Sequence, residues 1–259
     1  MIQPFLPDVS ELVCQVFKRN FTVFRRTWMV SMSFNFVEPL LYLAAMGVGL
    51  GSYVRPMEGL PYLNFIAPGL TVTSAMFAAA YECTYGSFIR MEFQKIYNAI
   101  IATPASADDV VLGDMLWGGF KSLLYGTVIL LVILALGLVR SPWALLTPPV
   151  FLLAGITFAA MSMVWVGLVP SIDSFNYFFS LVVTPLFLLS GVFFPVDDLA
   201  PAMRAAAWLS PLYHSVRVAR GMINGSVGTY ILADILWLAV LALLLVPLAL
   251  YLMRRLLIK

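Results

Sequence analysis

The sequence predicts an all-α integral membrane protein with six transmembrane helices, and two observations carry this prediction. The 259-residue chain is 62% hydrophobic and only 11% charged, whereas a soluble domain carries about a quarter charged residues. Apolar runs of about 20 residues, each long enough to cross roughly 30 Å of hydrocarbon, recur along the whole sequence. Because no soluble domain of useful size fits between these runs, we expect one membrane domain over residues 1–259.

An amphipathic helix over residues 8–26 is expected to lie in the membrane interface ahead of the first span. Its polar face consists of Glu11, Gln15, Lys18, Arg19, Thr22, Arg25 and Arg26. Its apolar stripe consists of Val9, Val13, Val16, Phe17, Phe21 and Phe24. An ordinary solvated helix is the alternative, but lysine and arginine beside a span are attracted to anionic lipid.

The first two spans are predicted at residues 28–50 and 62–88. The first contains Glu38, whose carboxylate should face protein or water at that depth, and Pro39, which should bend the helix. The second carries Glu82 near its inner end and small residues in its middle, so it should pack closely on other helices. These small residues are Ser74, Ala75, Ala78, Ala79 and Ala80.

A cytoplasmic helix is predicted over residues 89–104, between the second and third spans. An apolar stripe recurs there at helical spacing, and Thr103-Pro104 ends it. The residues Ser106-Ala-Asp-Asp109 form a capping box that begins the next helix. The pattern fits a docking element for a cytoplasmic partner and an ordinary interfacial connector equally well.

The third and fourth spans are predicted at residues 110–138 and 143–169. Asp114 and Lys121 lie seven residues apart in the third span, two helical turns, so both project from one face. They can pair with each other through neighbours or with Glu82. A proton relay is the less favoured interpretation, because relay charges are usually spread through the depth of the membrane.

The fifth span, at residues 175–194, should break at Ser190-Gly191. An outer cap over residues 195–228 follows, with two short helices divided at Ser210-Pro211, and the sixth span is predicted at 229–253. Four cap residues could hydrogen-bond polar groups at an exit or simply face outer lipid headgroups. They are Arg204, His214, Arg217 and Arg220.

The distribution of cations predicts that both termini are cytoplasmic. Counted near the span ends, ten lysines and arginines fall on the predicted inside and five on the outside. The inner cations are Lys18, Arg19, Arg25, Arg26, Arg90, Lys95, Lys121, Arg254, Arg255 and Lys259. The outer cations are Arg55, Arg140, Arg204, Arg217 and Arg220.

Catalytic and metal-binding motifs are not found in the sequence. There is no GxxxxGK[ST] phosphate loop, and a single histidine, His214, excludes a histidine-pair metal site. Cys14 and Cys83 form no CxxC pair, so we expect free thiols. The net charge of +2 gives no indication of a nucleic-acid partner. The chain therefore resembles a conduit, and any energy that its transport needs would come from another protein or from an ion gradient.

The residues resemble the permease subunits of type 2 ABC exporters over nearly the whole chain. The resemblance includes the basic N-terminal helix, the six spans, the helix between spans two and three, and two segments around the cap. These segments read PLFLLSGVFFPVDDLAP and WLSPLYHSVRVARG. The segment YLNFIAPGL and the run from Tyr81-Glu82 to Pro104 are similar to the nodulation-factor and lipooligosaccharide exporter branch.

This resemblance implies a bacterial inner-membrane assembly of two permease chains with two copies of a separate ABC ATPase subunit. The second permease is another copy of this chain or a close paralogue, and ATP and Mg are bound by the ATPase, with no cofactor in this chain. The helix at residues 89–104 would be the coupling helix. Its ATPase-facing residues would be Arg90, Glu92, Phe93, Lys95, Ile96 and Tyr97.

The implied cargo is an amphiphilic glycolipid or lipooligosaccharide that leaves the inner leaflet laterally, in contact with membrane lipid. The expected path and gate residues are Arg25, Arg26, Glu38, Gly191, Phe193, Phe194, Arg217 and Arg220. A permease for hydrophobic drugs is the nearest alternative. A proton-coupled transporter would use Glu38, Glu82, Asp114 and Asp234 as its relay, and an intramembrane lipid enzyme is disfavoured by the missing catalytic residues.

Overall fold

The computed structural model describes residues 7–169 and 171–258, with side chains at all of these except positions 30 and 32–36. Lys259, counted above among the inner cations, lies outside the described residues. The described chain is all-α, apart from an isolated bridge between Met57 and Leu60. The helices are α1 (Val13–Tyr42), α2 (Tyr62–Phe93), α3 (Ile96–Ile101), α4 (Ala107–Ala135), α5 (Pro142–Leu168), α6 (Ile172–Leu189), α7 (Pro201–Trp208), α8 (Pro211–Asn224) and α9 (Tyr230–Leu257).

Five of these helices have the length and apolar composition of a membrane span: α2, α4, α5, α6 and α9. They coincide with the second to sixth predicted spans. The count of six stays a prediction, because the apolar part of the first predicted span, Val37–Gly49, is a shorter segment. The chain is a multi-pass membrane protein.

Helix α1 joins two elements that the sequence pattern had separated. It runs without a break from Val13 to Tyr42, so the predicted interface helix and the first half of the first span are one continuous helix. The expectation that the helix begins at residue 8 is corrected, since residues 7–10 have no regular structure. Pro39 lies inside α1, and wider π-helical turns follow at Leu43–Gly49.

The predicted helix at residues 89–104 is also divided differently. Residues Ile89–Phe93 form a π-helical end of α2, so the second span reaches Phe93 instead of ending at residue 88. The chain then turns at Lys95, whose φ of 53° is left-handed, and α3 is a separate short helix. We call residues 89–104 the connector. The capping box is confirmed, because Ser106 and Asp109 exchange both hydrogen bonds.

Helix α6 ends at Leu189 rather than at residue 194. The break at Ser190-Gly191 is confirmed, and Gly191 takes a left-handed φ of 78°. Two short helices, α7 and α8, follow as predicted. Helix α8 does not lie on the surface, because it packs against α2, α5 and α9.

Small residues allow the central helices α2, α4 and α5 to approach closely. Ala75, Ala79 and Ala80 of α2 are fully buried, which agrees with the predicted packing of that span. On the α4–α5 contact, a Cβ at Gly126 would lie 2.7 Å from the ring of Phe151, and a Cβ at Gly155 would overlap the side chain of Ser122. The core therefore lies among these three helices.

Replacing Gly155 with alanine is expected to destabilise the protein by about 1–3 kcal/mol, the usual cost of overpacking. The new methyl group would have to displace Ser122, which donates a hydrogen bond to the Ala75 carbonyl oxygen. Denaturing-detergent titration of the purified variant measures the change. Gly49→Ala is the control, because the nearest atom to its Cβ is 3.8 Å away; equal stability of the two variants would contradict this packing argument.

Candidate functional site

A cluster of buried charges lies where α1, α2, α3 and α4 meet. Arg90 bridges two carboxylates: its Nη1 lies 2.6 Å from Glu82 Oε1, and its Nη2 lies 2.9 Å from Asp114 Oδ2. Lys121 Nζ lies 2.5 Å from the other oxygen of Glu82. The pairing of Lys121 with Glu82, one of the alternatives offered by the sequence, is confirmed. We call Glu82, Arg90, Asp114 and Lys121 the ionic cluster.

Asp114 is the hydrogen-bond acceptor that joins the four helices. It accepts from Tyr97 Oη of α3 at 2.5 Å, from Asn20 Nδ2 of α1 at 2.6 Å and from Ser87 Oγ of α2 at 3.2 Å. Burial and the neighbouring Asp114 carboxylate raise the pKa of Tyr97 well above its usual range, so the phenol keeps its proton and donates. The connector is thereby fixed to three other helices through one side chain.

The structure separates five of the six predicted coupling residues into two groups. Arg90 and Tyr97 point into the ionic cluster and are largely buried, so the expectation that they face a partner is corrected. Glu92 and Lys95 form an exposed ion pair at 2.8 Å, and Phe93 is 67% exposed. Ile96, partly buried, begins α3. Arg90 and Tyr97 anchor the connector, whereas Glu92, Phe93 and Lys95 form its exposed tip.

A cleft of ≈230 Å³ lies beside the ionic cluster, between α1, α2 and α4. We call it the N-terminal cleft. Arg19, Arg90 and Lys121 supply cations, and Phe24 and Trp117 supply aromatic surface. Lys121 Nζ lies 5.8 Å from the centroids of both rings. The sequence-based predictions missed Asn20 and Trp117. The only sequence signal for Asn20 was its position, a polar residue on the side of α1 that carries the apolar stripe.

The same end of the bundle holds the N-terminal segment and the end of α9. The backbone N–H groups of Asp8 and Ser10 each donate at 2.7 Å, to Asp108 and Asp109 respectively. Arg254 of α9 forms a buried ion pair with Asp108. The first described residues, the start of α4 and the end of α9 therefore lie together, and we call this the N-terminal end.

The far end of the bundle is organised by Arg220 of α8. Its Nη2 donates to the Gly191 carbonyl oxygen at 2.6 Å, its Nε donates to the Phe65 carbonyl oxygen at 3.3 Å, and its guanidinium carbon lies 3.8 Å from the Phe65 ring centroid. Burial lowers the pKa of Arg220 to about 10, so the group remains charged at neutral pH. Arg220 thus holds the break after α6 against α2. The alternative prediction, that Arg220 faces outer lipid headgroups, is therefore wrong.

A polar pocket of ≈440 Å³ opens beside Arg220. Gly191 and Arg217, two predicted gate residues, line it together with Tyr213 and Tyr230. The guanidinium carbon of Arg217 lies 4.7 Å from the Tyr230 ring centroid. Three of the predicted gate residues, Gly191, Arg217 and Arg220, are therefore brought to one place.

His214 connects three elements at the far end. Its Nδ1 lies 2.8 Å from Asp234 Oδ1 of α9, its Nε2 lies 2.8 Å from the Trp208 carbonyl oxygen of α7, and its ring stacks on Trp237 at 4.1 Å. Arg217 Nε lies 3.3 Å from the second oxygen of Asp234. Asp234 is thus paired with two basic side chains, and His214 is buried instead of facing lipid headgroups.

Replacing His214 with alanine is expected to cost about 1–3 kcal/mol, because the buried Asp234 carboxylate loses a partner and Trp237 loses its stacked ring. Thermal unfolding in detergent and limited proteolysis of residues 195–228 would measure the effect. The matched control is Arg204→Ala, since the exposed Arg204 side chain hydrogen-bonds only to the backbone oxygens of Asp197 and Leu199 among the described residues. A His214 variant as stable as this control would contradict the connecting role.

The remaining predicted path residues do not join either site. Arg25 and Arg26 are exposed on α1 and line no described cavity, and Glu38 is exposed in the same helix. Glu38 lines a shallow apolar groove of ≈570 Å³ with Val37, Leu41, Tyr42, Ala45 and Met46. Phe193 and Phe194 are partly buried, and the Phe193 ring lies 5.1 Å from that of Phe187.

The described residues contain no group of three or more metal-ligating side chains, and Cys14 and Cys83 are free thiols, as predicted. Every carboxylate of the ionic cluster is matched by a cation or a hydrogen-bond donor, which is a structural arrangement rather than a catalytic one. The fold and these sites together define a multi-pass helical membrane protein with charged anchors at both ends of its bundle.

The ABC-2 type transporter family matches residues 11–224, and the chain belongs to this family. It is 39% identical over 220 residues to nodulation protein J of Rhizobium leguminosarum bv. trifolii, covering 85% of this chain and 84% of the relative. It is 36% identical over 211 residues to nodulation protein J of Rhizobium meliloti (82% and 80%). It is 25% identical over 206 residues to the inner membrane transport permease YadH of Escherichia coli K12 (74% and 75%). The family is one of transporter permeases, not of catalytic enzymes.

Proposed function

We propose that this chain is the membrane-spanning permease of an ATP-driven exporter that moves an amphiphilic glycolipid or lipooligosaccharide outward. ATP and Mg are bound and used by a separate ATPase subunit. The similarity to proteins named nodulation protein J supports this cargo class, together with the resemblance of YLNFIAPGL to the lipooligosaccharide exporter branch.

The arrangement of the connector is the observation that carries the proposal. Its exposed tip presents Glu92, Phe93 and Lys95, while its buried anchors Arg90 and Tyr97 reach Glu82 of α2 and Asp114 of α4. A partner that pushes on the tip therefore pushes directly on two spans and, through Asn20, on α1. Movement of a rigid, charge-paired unit is how an ATPase outside the membrane would shift helices inside it.

A second copy of this chain, with two ATPase subunits, completes the proposed assembly. Glu38 is exposed beside apolar Val37 and Leu41, and a carboxylate facing hydrocarbon at this depth would be costly. A second permease facing this surface would enclose Glu38 in a shared path. Phe193 and Phe194 follow the break at the far end of α6, where such a path would open through the cap.

The proposed location is a bacterial inner membrane with both termini cytoplasmic. The N-terminal segment, the connector and Arg254 meet at one end of the bundle, which agrees with the cation distribution. The ionic cluster also disfavours a proton relay, because Glu82 and Asp114 are already neutralised by Arg90 and Lys121.

Reconstitution tests the proposal. The permease and an ABC ATPase co-expressed as its partner subunit are placed in proteoliposomes with a fluorescent lipid that carries a short oligosaccharide head. We expect movement across the bilayer that needs ATP and Mg and persists when a protonophore collapses the proton gradient. Movement that stops with the proton gradient and ignores ATP would overturn the ATP-driven mechanism. Movement of a hydrophobic dye but not of the glycolipid would establish the drug-exporter alternative instead.

A further inference from the structure

The edge of the N-terminal cleft includes exposed apolar side chains from α1 and from the end of α2. Among the residues that line it, Val23 of α1 is 51% exposed and Ile89 of α2 is 37% exposed. Deeper in the cleft are Arg19, Glu82, Arg90 and Lys121, with Trp117 as one wall. The cleft therefore has a charged interior and an apolar rim. It lies at the N-terminal end of the bundle, where α1 also carries exposed basic residues.

The charges inside the cleft do not balance. Glu82 and Asp114 are the carboxylates of the ionic cluster, and both are paired with Arg90 or Lys121. Arg19 is a third cation, and none of the ion pairs among the described residues includes it. Three cations against two carboxylates leave one positive charge in a partly buried space.

Arg19 itself is held in place but not neutralised. Its Nη1 donates to Asn20 Oδ1 at 2.9 Å, and Asn20 in turn donates to Asp114. Burial, followed by the positive charge of Arg90, lowers the pKa of Arg19, and the negative charge of a bound anion would act in the opposite direction. A guanidinium has five N–H donors in a fork that suits phosphate, sulfate and carboxylate, and one neutral amide leaves most of them free for a ligand.

We propose that the N-terminal cleft binds the anionic headgroup of a membrane amphiphile, with Arg19 as its main ligand and the acyl chain leaving past Val23 and Ile89. Arg90 and Lys121 are balanced by Glu82 and Asp114, so Arg19 carries the uncompensated charge, and Phe24 and Trp117 cover one side of the cleft. This inference rests on the proposed function, because the proposed function identifies the amphiphile as the exported cargo. It also replaces Arg25 and Arg26 as the expected headgroup contacts, because neither lines the cleft.

Lipid binding to the purified permease tests this inference without the ATPase. The probe is short-chain phosphatidylglycerol, with short-chain phosphatidylcholine as the neutral comparison, and native mass spectrometry counts the bound lipid. We expect one phosphatidylglycerol to bind in preference to phosphatidylcholine. Arg19→Gln should weaken this binding roughly tenfold or more, because it removes a charge-assisted hydrogen bond.

Lys18→Gln is the matched control, since Lys18 carries the same charge one residue away but is exposed and does not line the cleft. It should bind phosphatidylglycerol within about twofold of the unmodified chain. Arg19→Lys should keep most of the binding, which separates loss of charge from loss of fold. Equal binding by Arg19→Gln and Lys18→Gln, or equal binding of the two lipids, would overturn the proposal.

The last measurement is competition between inorganic phosphate and the bound lipid. If phosphate alone at the same concentration displaces the bound lipid, the cleft is a simple anion site and the amphiphile inference fails. If it displaces lipid only at far higher concentration, the acyl chain contributes, as the apolar rim requires. Selective binding of phosphatidylglycerol without ATP-driven transport of the glycolipid in proteoliposomes would refute the proposed function alone. ATP-driven transport together with equal binding of the two lipids would refute this inference alone.

Discussion

Arg90→Ala is expected to lower the free energy of unfolding by about 3–5 kcal/mol, because it leaves buried charges without their shared partner. Arg90 is 14% exposed and pairs with both Glu82 and Asp114, which are 9% and 1% exposed. After its removal, Glu82 keeps Lys121, but Asp114 keeps only neutral donors among its described contacts. Unfolding by titration with denaturing detergent, together with the amount of chain that accumulates in membranes, measures the effect.

Lys95→Ala is the matched control for this prediction. The Lys95–Glu92 pair is 59% and 46% exposed, so its loss should change stability by less than about 1 kcal/mol. Adding Asp114→Asn to Arg90→Ala should recover part of the lost stability, because the unpaired carboxylate is then neutral. An Arg90 variant as stable as the Lys95 variant would show that the ionic cluster does not hold the connector.

Phe93→Ala should abolish export while leaving the fold of the permease unchanged. The ring is 67% exposed at the connector tip, and large aromatic residues commonly provide most of the binding energy at protein interfaces. We expect the permease to lose the ATPase on co-purification, by about tenfold or more in apparent affinity. Pull-down of the co-expressed ATPase and the proteoliposome assay would measure binding and transport separately.

The control for Phe93 is Leu145→Ala. Leu145 is 76% exposed in the first turns of α5, at the far end of the bundle, so its loss should leave ATPase binding intact. Unchanged thermal stability of Phe93→Ala is part of the expected result. Normal ATPase binding by this variant would mean that the connector tip is not the docking surface.

Pattern and composition predicted the five helices that are long and apolar enough to cross a membrane, because a run of apolar residues has few other stable locations than a membrane or a core. The capping box at Ser106 and Asp109 and the break at Ser190-Gly191 were equally predictable, since both depend on contacts within a few residues. The pairing of Lys121 with Glu82 was offered as one of two possibilities. Helical spacing placed Asp114 and Lys121 on one face but gave no distance to another helix.

The two groups in the connector could not be separated from the sequence. Arg90 and Lys95 are both basic residues in one short polar stretch, yet Arg90 is buried with two carboxylates and Lys95 is exposed. The π-helical turns at Ile89–Phe93 and the left-handed Lys95 determine which side chains turn inward. Such local irregularities are set by the packing of α2 on α4, more than by the propensity of the residues themselves.

The sequence by itself determined that this is a helical membrane protein with basic residues gathered at one end, because hydrophobic length and charge are properties of each segment. Only the tertiary structure decided that Arg19, from α1, stands beside a cluster built from α2 and α4 and forms no ion pair with any described residue. It likewise decided that Arg220 and His214 hold the far end together instead of facing lipid. Ion pairs between residues far apart in the chain depend on which helices meet, and that is fixed by packing across the whole bundle.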